Sequence, residues 1–332
     1  MKSKTKKISF GSGCAINDNM LYVASFIDSL EDINHTRMFV LNLDLPVIWH
    51  YHDLNSKTVI STAFRPQQNE LARAGCALTT DGYIEIFNTE ETSTTKISRN
   101  TYAPLTSLAV IDGIFFCCGT EGQIYKIESS RTEEIGQGIA TNVKVALDKI
   151  FDIKKTEDPE KIQRLTSASR SITTLQSIDG LSKEDIYTCG TNGVIYHWNG
   201  REWSKCRSGT RQHLHSIHCI TQDDIMVCGH NGTIVRGNSR EGFKRLASEK
   251  ISKNFWCIRY FNDSIYIGTT NGLLVLKNGV FVHPLPPNLP LPKDYSIESL
   301  SSTEDTLWVV TNRFVLRLNQ DEWQLIDHPD NL

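Results

Sequence analysis

The densest grouping of chemistry-bearing side chains is His213-x-His215-x-x-His218. Imidazoles two apart on a strand share a side, as two metal ligands must, but the third then points to the opposite side. No further ligand follows in sequence, and His50 with His52 has the same defect. No metal and no cofactor is therefore expected; neutral imidazoles in a polar channel or at a strand end are the plainer reading. Asp223-Asp224, or Asp152, Glu157 and Asp158, could supply paired carboxylates for hydrolysis. Asp185 and Asp224, however, stand before equivalent apolar runs and so read as turn residues. Cys117-Cys118 lies in an apolar run with no base beside it. The sequence contains no Gly-x-Ser-x-Gly elbow, P-loop, His-Glu-x-x-His or EF-hand pattern. The expected set of catalytic residues is empty.

The elements that would carry these side chains repeat. Gly190, Gly229 and Gly268 are spaced 39 residues apart. Each closes an apolar run, is followed by an Asn-Gly turn and a second apolar run, and then by an Asn and an aromatic. Asn-Gly between two β-type runs is a strong hairpin signal because both residues accept positive φ. Glycine at the end of the preceding run suits a bulge or a close backbone approach. The second-turn asparagines Asn199, Asn238, Asn278 and Asn319 keep the same beat, and weaker copies carry Gly82 and Gly122. The late aromatics Trp203, Phe243, Phe281 and Trp323 fall on outermost strands, where a ring can cover the seam to the next sheet. A further apolar stretch precedes each unit, at 171–178, 214–220, 255–260 and 295–300. Four strands per 40-residue unit make a propeller blade. Adding a first blade that begins near Cys14 gives seven. The expectation is an all-β fold, a seven-bladed β-propeller of four-stranded antiparallel blades, forming one domain over 1–332. No leftover strand closes the ring by swapping.

The phrase Ile-Tyr-x-Cys-Gly-Thr-Asn-Gly-x-Ile-Tyr-x-Trp-Asn-Gly-x-x-Trp, ending at Trp203, resembles blades of the WD40/YVTN/BNR-like β-propeller superfamily. The resemblance covers nearly the whole chain. It departs from true WD40 blades in having no Trp-Asp dipeptide, from kelch blades in lacking their Gly-Gly doublet, and from sialidases in lacking the Asp-box, of which Glu241-Gly242-Phe243 is a fragment. Similar propellers of bacterial origin serve as binding scaffolds, and some look like the immunity partners found beside polymorphic or Rhs-type toxins. The resemblance therefore implies a protein partner, in its sharpest form a cognate toxin, although one fold hosts many functions.

The composition agrees with a binding protein of ordinary core. Hydrophobic residues make up 39% and charged residues 22%, and the net charge of −3 offers no global attraction for nucleic acid or an anionic membrane. The basic start, Met1 to Lys7, reads as a frayed terminus. No continuous apolar h-region follows it, and most of the nine cysteines lie in strand-like runs, as core thiols of a reducing cytoplasm do.

In an up-and-down blade, the turn between the second and third strands and the link to the next blade emerge on one face. The long departures from the beat fall on that face: the excursion Asp28 to Arg37, an excess of about 31 residues between blades three and four (about 139–170), and the proline-rich link 284–293. Insertions on one face of a repeat array mark its binding side. The insertion has helical spacing at 142–151 and 158–165, with Asp158-Pro159 as a helix start. The candidate partner-binding residues are Asp28, Glu31, Asp32, Lys154, Lys155, Arg164, Arg211, His213, Asn288 and Lys293. The acids would meet a basic partner; Arg211 and His213 would meet acidic groups. The expected function is non-enzymatic protein binding, as an immunity protein that neutralises a toxin by direct contact. The alternatives are a general scaffold or assembly factor, and a lyase or glycosidase acting in the central channel.

Overall fold

The computed structural model describes all residues except 1–6, 31–32, 69–70, 91, 98–103, 129–130, 140–159, 161–172 and 247–250. Consecutive strands pair into seven four-stranded antiparallel sheets. Their innermost strands are Ile8–Ala15, Val59–Arg65, Leu105–Ile111, Leu175–Ser182, Leu214–Thr221, Cys257–Phe261 and Ile297–Ser302. Each touches the innermost strand of the next sheet, and the last touches the first, so the sheets close into a seven-bladed propeller.

The Asn-Gly turns explain the hairpins. Asn192 and Gly193 have φ of 59° and 72°, and Asn231 and Gly232 have 53° and 63°, a pair of left-handed residues that a tight hairpin needs. Apolar side chains on both faces of each sheet fill the seams between blades. One such core joins Ile8, Phe10 and Phe39 of blade one to Trp308, Val310 and Val315 of blade seven. Each large side chain taken fully out of water contributes roughly 2–3 kcal/mol. The late aromatics do cover seams, but toward the preceding blade: Phe243 meets Tyr187 at 6.4 Å and Trp323 meets Tyr266 at 6.3 Å. Strand twist turns each outer edge back over its predecessor.

Two recurrent hydrogen bonds fix neighbouring blades. The first is a serine ladder. Ser12, Ser61, Ser107, Ser177, Ser216 and Ser299 each accept from a backbone N–H on the innermost strand of the next blade, respectively Thr62, Leu108, Ile178, Ile217, Ile258 and Gly13. Cys257 takes the serine's place in blade six. The second is a latch in which the residue after the second strand donates to the carbonyl just before the first. It joins Thr80 to Thr58, Thr120 to Pro104, Thr191 to Thr174, His230 to His213 and Asn312 to Ser296, at 2.8–3.1 Å. Two glycines of the 39-residue beat make room for it: a Cβ on Gly190 or Gly229 would lie 2.0 Å from the Thr174 or His213 carbonyl oxygen.

Among the described residues the ring closes without a swapped strand. Besides the serine ladder, Phe10 N–H donates to Asn312 O at 3.0 Å, Trp308 Nε1–H to Asn17 O at 3.1 Å, and Ile8 N–H to Asn331 Oδ1 at 3.0 Å. The first strand begins at Ile8 rather than Cys14. The innermost strands Leu175–Ser182, Cys257–Phe261 and Ile297–Ser302 start two to four residues later than the apolar runs imply; in the first and last of them the residue just before, Thr174 or Ser296, belongs to the latch. The expected helices of the 139–170 insertion fall on residues outside the described set, apart from Glu160, and gain no support.

Candidate functional site at the channel mouth

Just before the ladder serine, the innermost strand slips register against its neighbour. The slip lies between Val59 and Ser61, Leu175 and Ser177, Leu214 and Ser216, and Ile297 and Ser299. A bulge of this kind turns the extra residue's side chain out of the ladder. The turned-out residues Ile60, Gln176, His215 and Glu298, with Trp256 at the same position in blade six, line one opening of about 700 Å3. Thr270, Ser296 and Ile297 complete it. Thr270 belongs to a turn between second and third strands and Ser296 to a link between blades, so this mouth opens on the face that carries the long excursions.

A cluster of one indole and three imidazoles, its rings tilted or edge-on to one another, occupies one side of the mouth. His215 lies against Trp256 at 4.4 Å and against His230 at 4.6 Å, and His213 meets His230 at 5.2 Å. Trp256 is still 38% exposed, unusual for a ring of that size and a mark of recognition surfaces. Asn231 Nδ2 donates to Gln212 Oε1 at 2.9 Å beside the cluster. Burial, then His230 and His213, push the His215 pKa down from 6.5 to about 4; burial and His213 lower that of His230. A histidine held neutral in this way favours the folded state above its ordinary pKa. That contribution is lost as the pH falls from about 6.5 towards 4. Lowering the pH from neutral into this window should therefore lower the melting temperature, and His215→Gln should flatten the slope. Superimposable pH profiles for the two proteins would contradict this.

This cluster differs from the histidine trio of the sequence. His230, and not His218, is the third imidazole, and among the described residues no three His, Cys, Asp or Glu side chains are placed to hold a metal. Asp185 and Asp224 act across the hairpin: Asp185 Oδ1 lies 2.8 Å from His197 Nε2, and Asp224 holds Arg236 through both oxygens. All nine cysteines are free thiols. Burial pushes Cys117 up, and Cys76 and Cys118 up to about 12, the opposite of the lowering that activates a catalytic thiol.

The anticipated site residues separate. Arg211 is exposed on the link leading to the cluster, and His213 belongs to the cluster, accepting from Asn192 N–H through Nδ1 at 3.2 Å. Asn288 and Lys293 are exposed on the proline-rich link. That link is less extended than its prolines imply: Leu289 N–H donates to Pro286 O at 3.1 Å, and Leu285, Leu289 and Leu291 pack on the seam of blades six and seven. Asp28 accepts from Arg313 at 2.6 Å and from Ser9 at 2.7 Å, so it belongs to the closing seam. Glu31, Asp32, Lys154, Lys155 and Arg164 lie outside the described residues. Trp256, His230 and Glu298 were not anticipated. The signal was there: Ile60, Thr106, Gln176, His215, Trp256 and Glu298 all stand one residue before the ladder position, and their divergence on an otherwise repeated frame marks the mouth.

No protein-family model matches the chain. It is 21% identical over 220 residues to a protein named Immune protein Tsi7 from Pseudomonas aeruginosa, a match covering 66% of this chain and 63% of that one. The chain thus spans less than two thirds of the length of that curated relative. Among solved structures it is similar to the WD40 β-propeller domain of Doa1, with a TM-score of 0.64 and 13% identity over 96% of this chain and 93% of that one. It is also similar to a catalytically inactive virginiamycin B lyase from Staphylococcus aureus, with a TM-score of 0.66 and 8% identity over 94% of each chain. By its fold the chain is a seven-bladed β-propeller, similar to WD40 and other propellers.

Proposed function

We propose that the protein is a non-enzymatic, cytoplasmic propeller that binds a protein partner through the channel mouth, and that the partner is a cognate bacterial toxin which it neutralises by covering its active surface. The match to a protein named as an immune protein carries the reading. The exposed Trp256, set among neutral imidazoles on the face of the long excursions, supplies the anchor such a contact needs. A partner gripped there lies across the disc, so occlusion alone accounts for neutralisation.

The channel enzyme is disfavoured by its carboxylates. Asp179 on the channel wall accepts from the backbone N–H groups of Gly180 and Cys219, both at 2.9 Å, and Glu298 stands at the mouth, on the bulge of another blade. Two carboxylates flanking one substrate bond are not assembled among the described residues. Affinity capture from the native host, followed by co-expression of the recovered partner in a foreign cell, tests the proposal. A single partner in equal amount, toxic alone and harmless with this protein, is the expected outcome. Recovery of a multiprotein assembly, or of a partner harmless alone, sinks it.

A further inference from the structure

Among the described residues that line the 700 Å3 opening, Glu298 is the one charged group at neutral pH. Burial and two neighbouring imidazoles hold His215 neutral. Glu298 is exposed, on the innermost strand of blade seven. Ser296 Oγ–H donates to its Oε1. Ser296 is itself fixed: its N–H donates to Asn312 Oδ1 at 3.2 Å, and its carbonyl accepts from Asn312 N–H at 3.1 Å. The carboxylate is thus anchored to the latch of its own blade through one oxygen. Oε2 keeps its lone pairs, and among the described residues Glu298 forms no ion pair.

The neighbouring position in blade six carries Trp256, 38% exposed and lining the same opening. The field of the carboxylate reaches that strand. Burial first, and Glu298 to a lesser extent, push the thiol of Cys257, next to Trp256 in sequence, up to about 12.

An exposed carboxylate alone contributes little to recognition. A carboxylate and an open indole on one opening do more, because both attract a cation. A partner that covers the mouth takes Glu298 out of water. A neutral group placed there leaves the carboxylate buried and unpaired, and an acidic one repels it. A guanidinium meets both needs: its plane stacks on the indole, and its N–H fork reaches the open oxygen.

We propose that the mouth receives an arginine side chain of the protein partner, held between the Trp256 ring and the Glu298 carboxylate. This rests on the reading that a protein partner covers the mouth, and adds the charge that the partner presents there.

N-acetylarginine amide is the first probe, added to the full-length protein at constant ionic strength while the Trp256 indole Nε1–H signal is followed by NMR. That signal is assigned by its loss in Trp256→Phe. The expected result is a saturable shift, weaker with N-acetyllysine amide and absent with N-acetylglutamine amide. Glu298→Gln should weaken arginine-amide binding roughly tenfold, and binding of the captured partner ten- to a hundredfold, at an unchanged melting temperature. An unshifted Trp256 signal, a lysine or glutamine analogue as tight as the arginine one, or wild-type binding by Glu298→Gln overturns the proposal. The analogue titration needs no partner, so the two readings fail separately. Saturable arginine binding with no toxin recovered supports the arginine site and sinks the toxin. A captured partner that loses affinity in Trp256→Ala but not in Glu298→Gln keeps the mouth contact and overturns the arginine.

Discussion

Replacing Trp256 by alanine should weaken partner binding by roughly thirtyfold or more, about 2 kcal/mol or above, while the melting temperature stays nearly unchanged. The ring is 38% exposed and lines the channel mouth, tilted against His215. Its truncation removes contact area from a partner and little from the seam, where Phe255 beside it is fully buried. The comparison that isolates the effect is Phe255→Ala. That variant should lose several kcal/mol of stability by cavity formation and affect binding only through unfolding. Titration calorimetry with the captured partner, beside thermal unfolding of each variant, separates the two. A Trp256→Ala protein that binds as the wild type does would remove the mouth from the contact.

The second large effect is on folding. Gly229→Ala should cost about 3 kcal/mol or more, since overpacking against a fixed backbone is at the upper end of such penalties. The new methyl would sit 2.0 Å from the His213 carbonyl oxygen, which must stay where it is to accept from His230 N–H at 2.8 Å. Relief of the clash breaks that latch and moves His213 and His230, two members of the cluster. Gly190→Ala meets the Thr174 carbonyl in the same way. Gly138, whose Cβ would meet nothing within 4 Å but whose φ is +89°, tests the alternative that any glycine replacement is equally harmful: its alanine variant should be much milder. Equal losses at Gly229 and Gly138 would mean that conformation, not the latch, governs the beat.

These two sites show what the sequence made legible. The glycine spacing announced blades because a close approach recurs there, to the latch carbonyl at Gly190 and Gly229 and to the Cys257 side chain at Gly268, and a repeated physical constraint leaves a repeated residue. Ring closure left no such trace. Beyond one rung of the serine ladder, it uses single pairs between chain ends, such as Arg313 with Asp28 and Ile8 with Asn331, which nothing in a local pattern identifies. Asp28 looked like a surface acid for that reason. The late aromatics were placed on the right strands and assigned the wrong seam, since residue type does not encode the sense in which an outer edge leans. The mouth was hidden differently. Trp256 sits in an apolar run and reads as core; it stands at the position that a register slip turns out of the ladder in the two neighbouring blades. The histidine trio failed as a metal set by strand alternation, and the structure replaces His218 with His230, brought in from the latch of the same blade. His218 instead joins Arg259 of the next blade, a partnership across 41 residues that only the ring brings together.

The central claim is that the partner sits on the face carrying the channel mouth. Hydrogen–deuterium exchange of the complex against the free protein measures this directly, because the two faces present different turns. Slowed exchange at His230 to Gly232, at Thr270 to Gly272 and along the link before Cys257, with the opposite-face turns at Asn199–Gly200 and Asp223–Asp224 unchanged, is the result expected. Protection confined to those opposite-face turns would contradict it.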